Sequence, residues 1–230
     1  MGYSIDPSRT ALLLIDPQQE YFDPAGALYT PNAEAIRQNL VSLREAADRS
    51  GALVVLIQHV FRKDGSDVGR MGDFNPTPAF IEHTPGVEPI DEMRPRPNDV
   101  VISKNRYSAF VNTPLAHELN TRDVDTVLVT GLMTNYCSVA TARHAHDLDY
   151  RVVFVIDANA GPDMPDLGFG PVPHSEILRT VSTSLAGGVA HVATTADVVA
   201  HLERPRGPED KGVALIYSGP ALSTETGRRK

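Results

Sequence analysis

The chain has 230 residues, with 29 acidic side chains against 21 lysines and arginines and a formal net charge of −8. The acids are scattered and form no block, which describes a solvated surface and excludes a basic footprint for nucleic acid. The longest apolar runs, residues 11–15 and 52–57, fall far short of the roughly 20 residues of a membrane-spanning helix.

From the amino terminus, residues 10–16 read as a buried strand that ends on Asp16, followed by Pro17. Acid and proline near the start, without a basic stretch leading into an apolar one, give no secretory signal, so the expectation is a cytoplasmic protein. Residues 32–50 place Ile36, Leu40, Leu43 and Ala47 on one helical face and stop at Gly51, and residues 53–59 form a second strand ending on His59. This is a β-α-β unit. Residues 61–96 are rich in glycine, proline and charge and are expected to form loops at the rim of a site. Further strands are expected at 99–103, 126–131, 152–158 and 188–192, with a helix following Cys137 and another at 175–186, the latter begun or capped by His174. Residues 161–173, with prolines at 162, 165, 171 and 173, read as a second rim loop.

Alternating short strands and amphipathic helices predict an α/β fold: a three-layer, doubly wound sheet of about six parallel strands with helices on both faces. The expected domain runs from residue 1 to 203. Residues 204–230 form an extension with one apolar piece, 213–217, partly mobile or docking on a neighbouring subunit. In such a sheet the ligand crevice lies beyond the carboxyl ends of the strands. Asp16, His59, Lys104 and Cys137 all fall at or just past those ends.

Cys137 is the one cysteine, so an intramolecular disulfide is excluded and the residue is either an inert core thiol or a reactive one. Its place after the turn 131–135, at the start of a helix, favours the thiolate, because free N–H groups and the helix dipole stabilise negative charge. Taken singly, Asp16 could cap a turn and Lys104 could be a surface cation. Together, a carboxylate, an ammonium and a thiol supply what nucleophilic acyl transfer requires: a proton acceptor, a charge stabiliser and an attacking atom. Phe22, His59, Phe61, Tyr107, Phe110, Asn135 and Tyr136 stand near the same strand ends as candidate lining residues, with Tyr107, Asn135 and Tyr136 preferred because they flank Lys104 and Cys137.

The segment from Leu13 to Phe22 (LLIDPQQEYF), the segment from Lys104 to Phe110 (KNRYSAF) with Thr113-Pro114-Leu115, and the segment from Val129 to Cys137 (VTGLMTNYC) resemble three motifs of the isochorismatase-like cysteine hydrolases, in the family's order. The resemblance implies Asp16, Lys104 and Cys137 as a catalytic triad, a cis peptide between Leu132 and Met133, and the Met133 and Cys137 N–H groups as an oxyanion hole. It implies hydrolysis of a small amide, ureide or carbamoyl compound by a homodimer or homotetramer. The family's nicotinamidases carry a compact Asp and two His metal cluster, absent here, so no metal or cofactor is expected. Members that cleave the vinyl ether of isochorismate have glycine in place of Cys137, which leaves that activity, with Asp16 as general acid, or an inactive scaffold, as the alternatives.

Overall fold

A computed structural model describes residues 5–74 and 78–204. Six parallel strands lie in the order β3-β2-β1-β4-β5-β6: β1 (Thr10–Ile15), β2 (Leu53–His59), β3 (Val100–Lys104), β4 (Thr126–Leu132), β5 (Arg151–Ala160) and β6 (His191–Ala193). The order reverses between β1 and β4, which places the switch-point crevice where their carboxyl ends diverge. The expected doubly wound sheet is therefore the fold.

All six residues of β1 are buried, and they alternate between two cores. Leu12 and Leu14 face a cluster containing Tyr21 and Phe22 of the short helix α1 (Gln19–Phe22), Leu40, Leu43 and Ala47 of helix α2 (Arg37–Ser50) and Val198 of α6 (Thr195–Leu202). Ala11, Leu13 and Ile15 face a second cluster with Leu115 of α3 (Leu115–Asn120), Ala142 of α4 (Val139–Asp147) and Leu185 of α5 (His174–Ala186). Helices thus cover both faces, which is why the central strands are continuously apolar.

The expected helix over 32–50 begins as a 3-10 turn, Pro31–Ile36, before becoming α2. Gly51 ends α2 at φ 79°, in the left-handed region that its missing side chain permits. Strand β6 is shorter and later than expected, because Val189 and Ala190 donate their N–H groups back to the Leu185 carbonyl and close the end of α5. The described residues of 61–96 contain three short 3-10 turns and no strand. Among the described residues no helix is long and apolar enough to cross a membrane. From residue 205 onward the expected extension, including its apolar piece at 213–217, lies outside the described residues.

Candidate active site

Asp16 leaves β1 at φ 51°, its N–H donating to the Ile57 carbonyl (2.9 Å) and its carbonyl accepting from Gln18 N–H (2.8 Å). This tight exit turns the carboxylate into the crevice, where it is wholly buried. Lys104 is the last residue of β3, paired in parallel register with His59 at the end of β2. Beyond β4 the Leu132–Met133 peptide is cis, and Thr134–Ser138 form a π turn that runs into α4. Cys137 therefore sits in the π turn, two residues before α4 begins, with its thiol 2% exposed.

These three stretches meet at the Lys104 ammonium. Its Nζ is 2.8 Å from Asp16 Oδ2, 3.2 Å from Cys137 Sγ and 3.0 Å from His59 Nδ1. The ammonium thus has hydrogen-bond contacts to Cys137 and His59 and an ion pair with Asp16. Accepting from an ammonium requires His59 Nδ1 to be unprotonated, and burial together with the neighbouring Lys104 and Arg106 cations holds the ring's pKa well below the usual histidine value. The Asp16 contact is an ion pair off the hydrogen-bond direction, and neither carboxylate oxygen has an aligned donor. The lone pairs needed to take up a proton are free.

Burial dominates the electrostatics. It pushes the Cys137 thiol up to about 12, with Lys104 opposing and the Asp16 charge reinforcing the rise. This corrects the expectation that the helix start would leave a resting thiolate: withdrawal from water outweighs the turn's N–H groups at this depth. Burial also raises Asp16, against the pull of Lys104. For Lys104 burial works downward, yet Asp16 and Cys137 outweigh it and the net direction is up. The resting site is a carboxylate–ammonium pair beside a neutral thiol.

Asp16, His59 and Cys137 present ligand atoms within 4.8 Å of one another, a spacing that could hold a metal ion. All three instead converge on the lysine ammonium, which occupies the cation's place at 2.8–3.2 Å. The donor set is committed to a cation the chain itself carries.

Above the thiol opens a cavity of about 570 Å³. His59, Tyr107 and Tyr136 line it, the two tyrosine rings 5.3 Å apart as one wall, and Phe61 lines it beside His59. Three expected contacts lie elsewhere. Phe22 is buried in the α2-side core with the Arg37 guanidinium over its ring at 5.0 Å. Phe110 packs in the opposite core against Tyr150 and His144, because the chain after Lys104 crosses over the sheet end and ties Ala109 N–H to Thr141 Oγ1. Asn135 sits behind Met164, its amide directed at the sulfur at 3.7 Å, so the thioether and not the amide faces the cavity.

Several supporting residues were not among the expected site residues. Gln18 is fully buried and clamps the backbone of His59, accepting its N–H (2.7 Å) and donating to its carbonyl (2.9 Å) and to that of Val87 (2.9 Å). Phe80 stacks on the His59 ring at 4.8 Å, and Tyr21 meets Phe80 edge-on at 5.2 Å. His174 begins α5 as expected, and its ring bonds Thr134 in the nucleophile's turn (3.1 Å). Gly131, at φ 114°, lies so close to β1 that a Cβ there would stand 2.0 Å from the Ile15 carbonyl oxygen. Nothing but glycine fits between the strand of the nucleophile and the strand of the carboxylate.

A parallel sheet with a buried carboxylate, ammonium and thiol at its switch point defines a cysteine hydrolase of the α/β class. The isochorismatase-domain family model matches residues 10–197. Among solved structures, a cysteine hydrolase from Pseudomonas syringae pv. phaseolicola 1448A is 39% identical, with a TM-score of 0.85 over 87% of this chain and 95% of that one. An isochorismatase family protein from Desulfovibrio vulgaris is 26% identical, with a TM-score of 0.73 over 85% and 99%. N-carbamoylsarcosine amidase from Thermoplasma acidophilum is 27% identical, with a TM-score of 0.67 over 86% and 99%. The chain belongs to the isochorismatase family, and its Asp16–Lys104–Cys137 arrangement fits the triad of the family's cysteine hydrolases.

Proposed function

We propose that the protein hydrolyses a C–N bond of a small amide, ureide or carbamoyl compound through a thioester on Cys137. The observation that carries this reading is the single ammonium bridging Asp16 Oδ2 and Cys137 Sγ. Asp16 takes the thiol proton as the sulfur bonds to the substrate's carbonyl carbon, and Lys104 stabilises the negative charge passing between them. The Met133 and Cys137 N–H groups, implied as the oxyanion hole by the family resemblance, would hold the oxyanion; the neighbouring Tyr136 and Ser138 N–H groups bond the Met133 carbonyl. Collapse breaks the C–N bond, and the proton held by Asp16 goes to the departing nitrogen. Water, losing a proton to Asp16, then attacks the thioester; the C–S bond breaks, the acid leaves, and the thiol regains its proton. His59, Tyr107 and Tyr136 are the substrate contacts in this scheme.

Cleavage of an isochorismate-like vinyl ether would use Asp16 alone and leave the Lys104–Cys137 contact without a role. The test is ammonia or amine release from a panel of amides and ureides by the native protein and by Cys137→Ala. The variant should fold and turn nothing over, and mass spectrometry of quenched native enzyme should find an acyl adduct on Cys137. Substantial activity in Cys137→Ala, or pyruvate release from isochorismate, would exclude the mechanism. The reading includes a cytoplasmic location and a homodimer or homotetramer; the exposed residues Phe74 (88%) and Phe169 (96%) support association, which light scattering checks.

A further inference from the structure

We infer that the site selects an uncharged amide whose acyl part carries an aromatic or branched aliphatic group, and discriminates against amides bearing a free carboxylate. This rests on the amide-hydrolase reading and concerns which amide. The cavity is far larger than a carbamoyl or urea group, and its volume is within the range of pockets that enclose drug-sized ligands. Much of its described lining is apolar, with Phe61, Met71, Phe80, Ile81 and Met164 among the lining residues.

Charge is placed where it cannot help a carboxylate. Among the described lining residues the one cation is Lys63, which is exposed at the rim and is followed by Asp64, also in the lining. Arg106 is not among the described lining residues; its guanidinium donates to the Asp67 carbonyl at 2.8 Å. A carboxylate taken into this cavity would lose hydration with no buried cation among the described lining residues to replace it, which is costly, whereas a phenyl or branched alkyl group would release water from apolar walls.

The walls are also built in advance. Glu20 is buried and accepts from the N–H groups of Ala27 (2.7 Å) and Phe80 (3.3 Å), fixing the backbone that carries the Phe80 ring. Phe61 N–H donates to the Phe80 carbonyl (2.7 Å), and Glu82 N–H to the Phe61 carbonyl (2.8 Å). The backbone carrying Phe61 and Phe80 thus needs little ordering by the ligand, so contact with these two rings converts more fully into affinity.

The test uses the full chain carrying Cys137→Ala and three ligands with the same propanamide stem: propanamide, 3-phenylpropanamide and succinamate, in which a carboxylate replaces the phenyl ring. Calorimetric titration should give 3-phenylpropanamide an affinity about tenfold or more above both others. Succinamate binding as tightly as the phenyl compound would overturn the inference, as would equal affinity for propanamide. A Met71→Arg substitution in the same background should shift the phenyl-to-succinamate ratio about tenfold toward succinamate, and an unchanged ratio would count against these walls as the source of selectivity. Ammonia release by the native enzyme from the same compounds reports separately on the reaction. A phenyl preference in binding with no ammonia from any amide would refute the hydrolase reading while leaving the selectivity intact.

Discussion

Replacing Asp16 with asparagine should make Cys137 more reactive toward an alkylating agent while making the enzyme inactive. With the thiol pushed up to about 12, the thiolate fraction at pH 7.5 is on the order of 10⁻⁴ to 10⁻⁵. The Asp16 carboxylate lies no more than 4.8 Å from the sulfur, and at an effective dielectric of 20 a unit charge at that distance disfavours the thiolate by about 3 kcal/mol. Removing it, with the Lys104 ammonium still in place, should raise the thiolate population about a hundredfold. Turnover should fall by a factor of about 10² to 10⁴, because the proton acceptor is gone. The assay is the pseudo-first-order rate of iodoacetamide modification of native protein and variant across pH 6 to 10, followed by intact mass, beside amide turnover. In the native protein the logarithm of the rate should climb linearly with pH to the top of that range. A plateau near neutrality in the native protein, or a variant that alkylates no faster, would refute this account of the resting thiol.

Lys104→Met leaves a fully buried carboxylate without its counter-charge and should cost about 3 to 5 kcal/mol in chemical denaturation, as well as activity; a loss under 1 kcal/mol would mean that Asp16 is neutral in the fold. His59 is held well below the usual histidine pKa by burial, so the unfolded chain binds its proton first as pH falls, and stability should decline from about pH 6.5 downward until the folded ring also protonates. The decline attributable to this group is at most about 1.4 kcal/mol per pH unit, and the melting temperature of His59→Gln should vary less between pH 6.5 and 5 than that of the native protein; parallel curves would remove His59 from the explanation. Arg44 and Asp99 form an ion pair with side chains 1% and 2% exposed, at the entry to β3. Arg44→Met should destabilise by about 3 to 5 kcal/mol, and adding Asp99→Asn should recover part of that loss, because the stranded charge is the main cost; a double variant worse than the single one would count against this.

The architecture was legible because its physics is local and periodic. β1 is buried at every position and apolar from Ala11 to Ile15, which only a strand covered on both faces tolerates, and the α2 stripe stops at a glycine where a left-handed residue is needed. Asp16, His59, Lys104 and Cys137 could be placed together because parallel strands put their carboxyl ends at one edge. What was not legible depends on three-dimensional closure. Phe110 follows Lys104 by six residues and shares its motif, yet the chain crosses the sheet end within that interval and the ring enters the opposite core. Phe80 and Gln18 reach His59 through long-range contacts that leave no periodic trace. The depth of Cys137 was hidden as well, and depth, not position at a helix start, sets its proton affinity.

Gly131 gives this arrangement a particular fragility. The separation between proton acceptor and attacking atom is fixed in part by a missing methyl group, since any larger residue would wedge β4 away from the Ile15 carbonyl. Changes there would be felt as a widened gap in the chemistry before they registered as a damaged core, so this backbone contact acts as a gauge on the reaction, set by a residue that never meets the substrate.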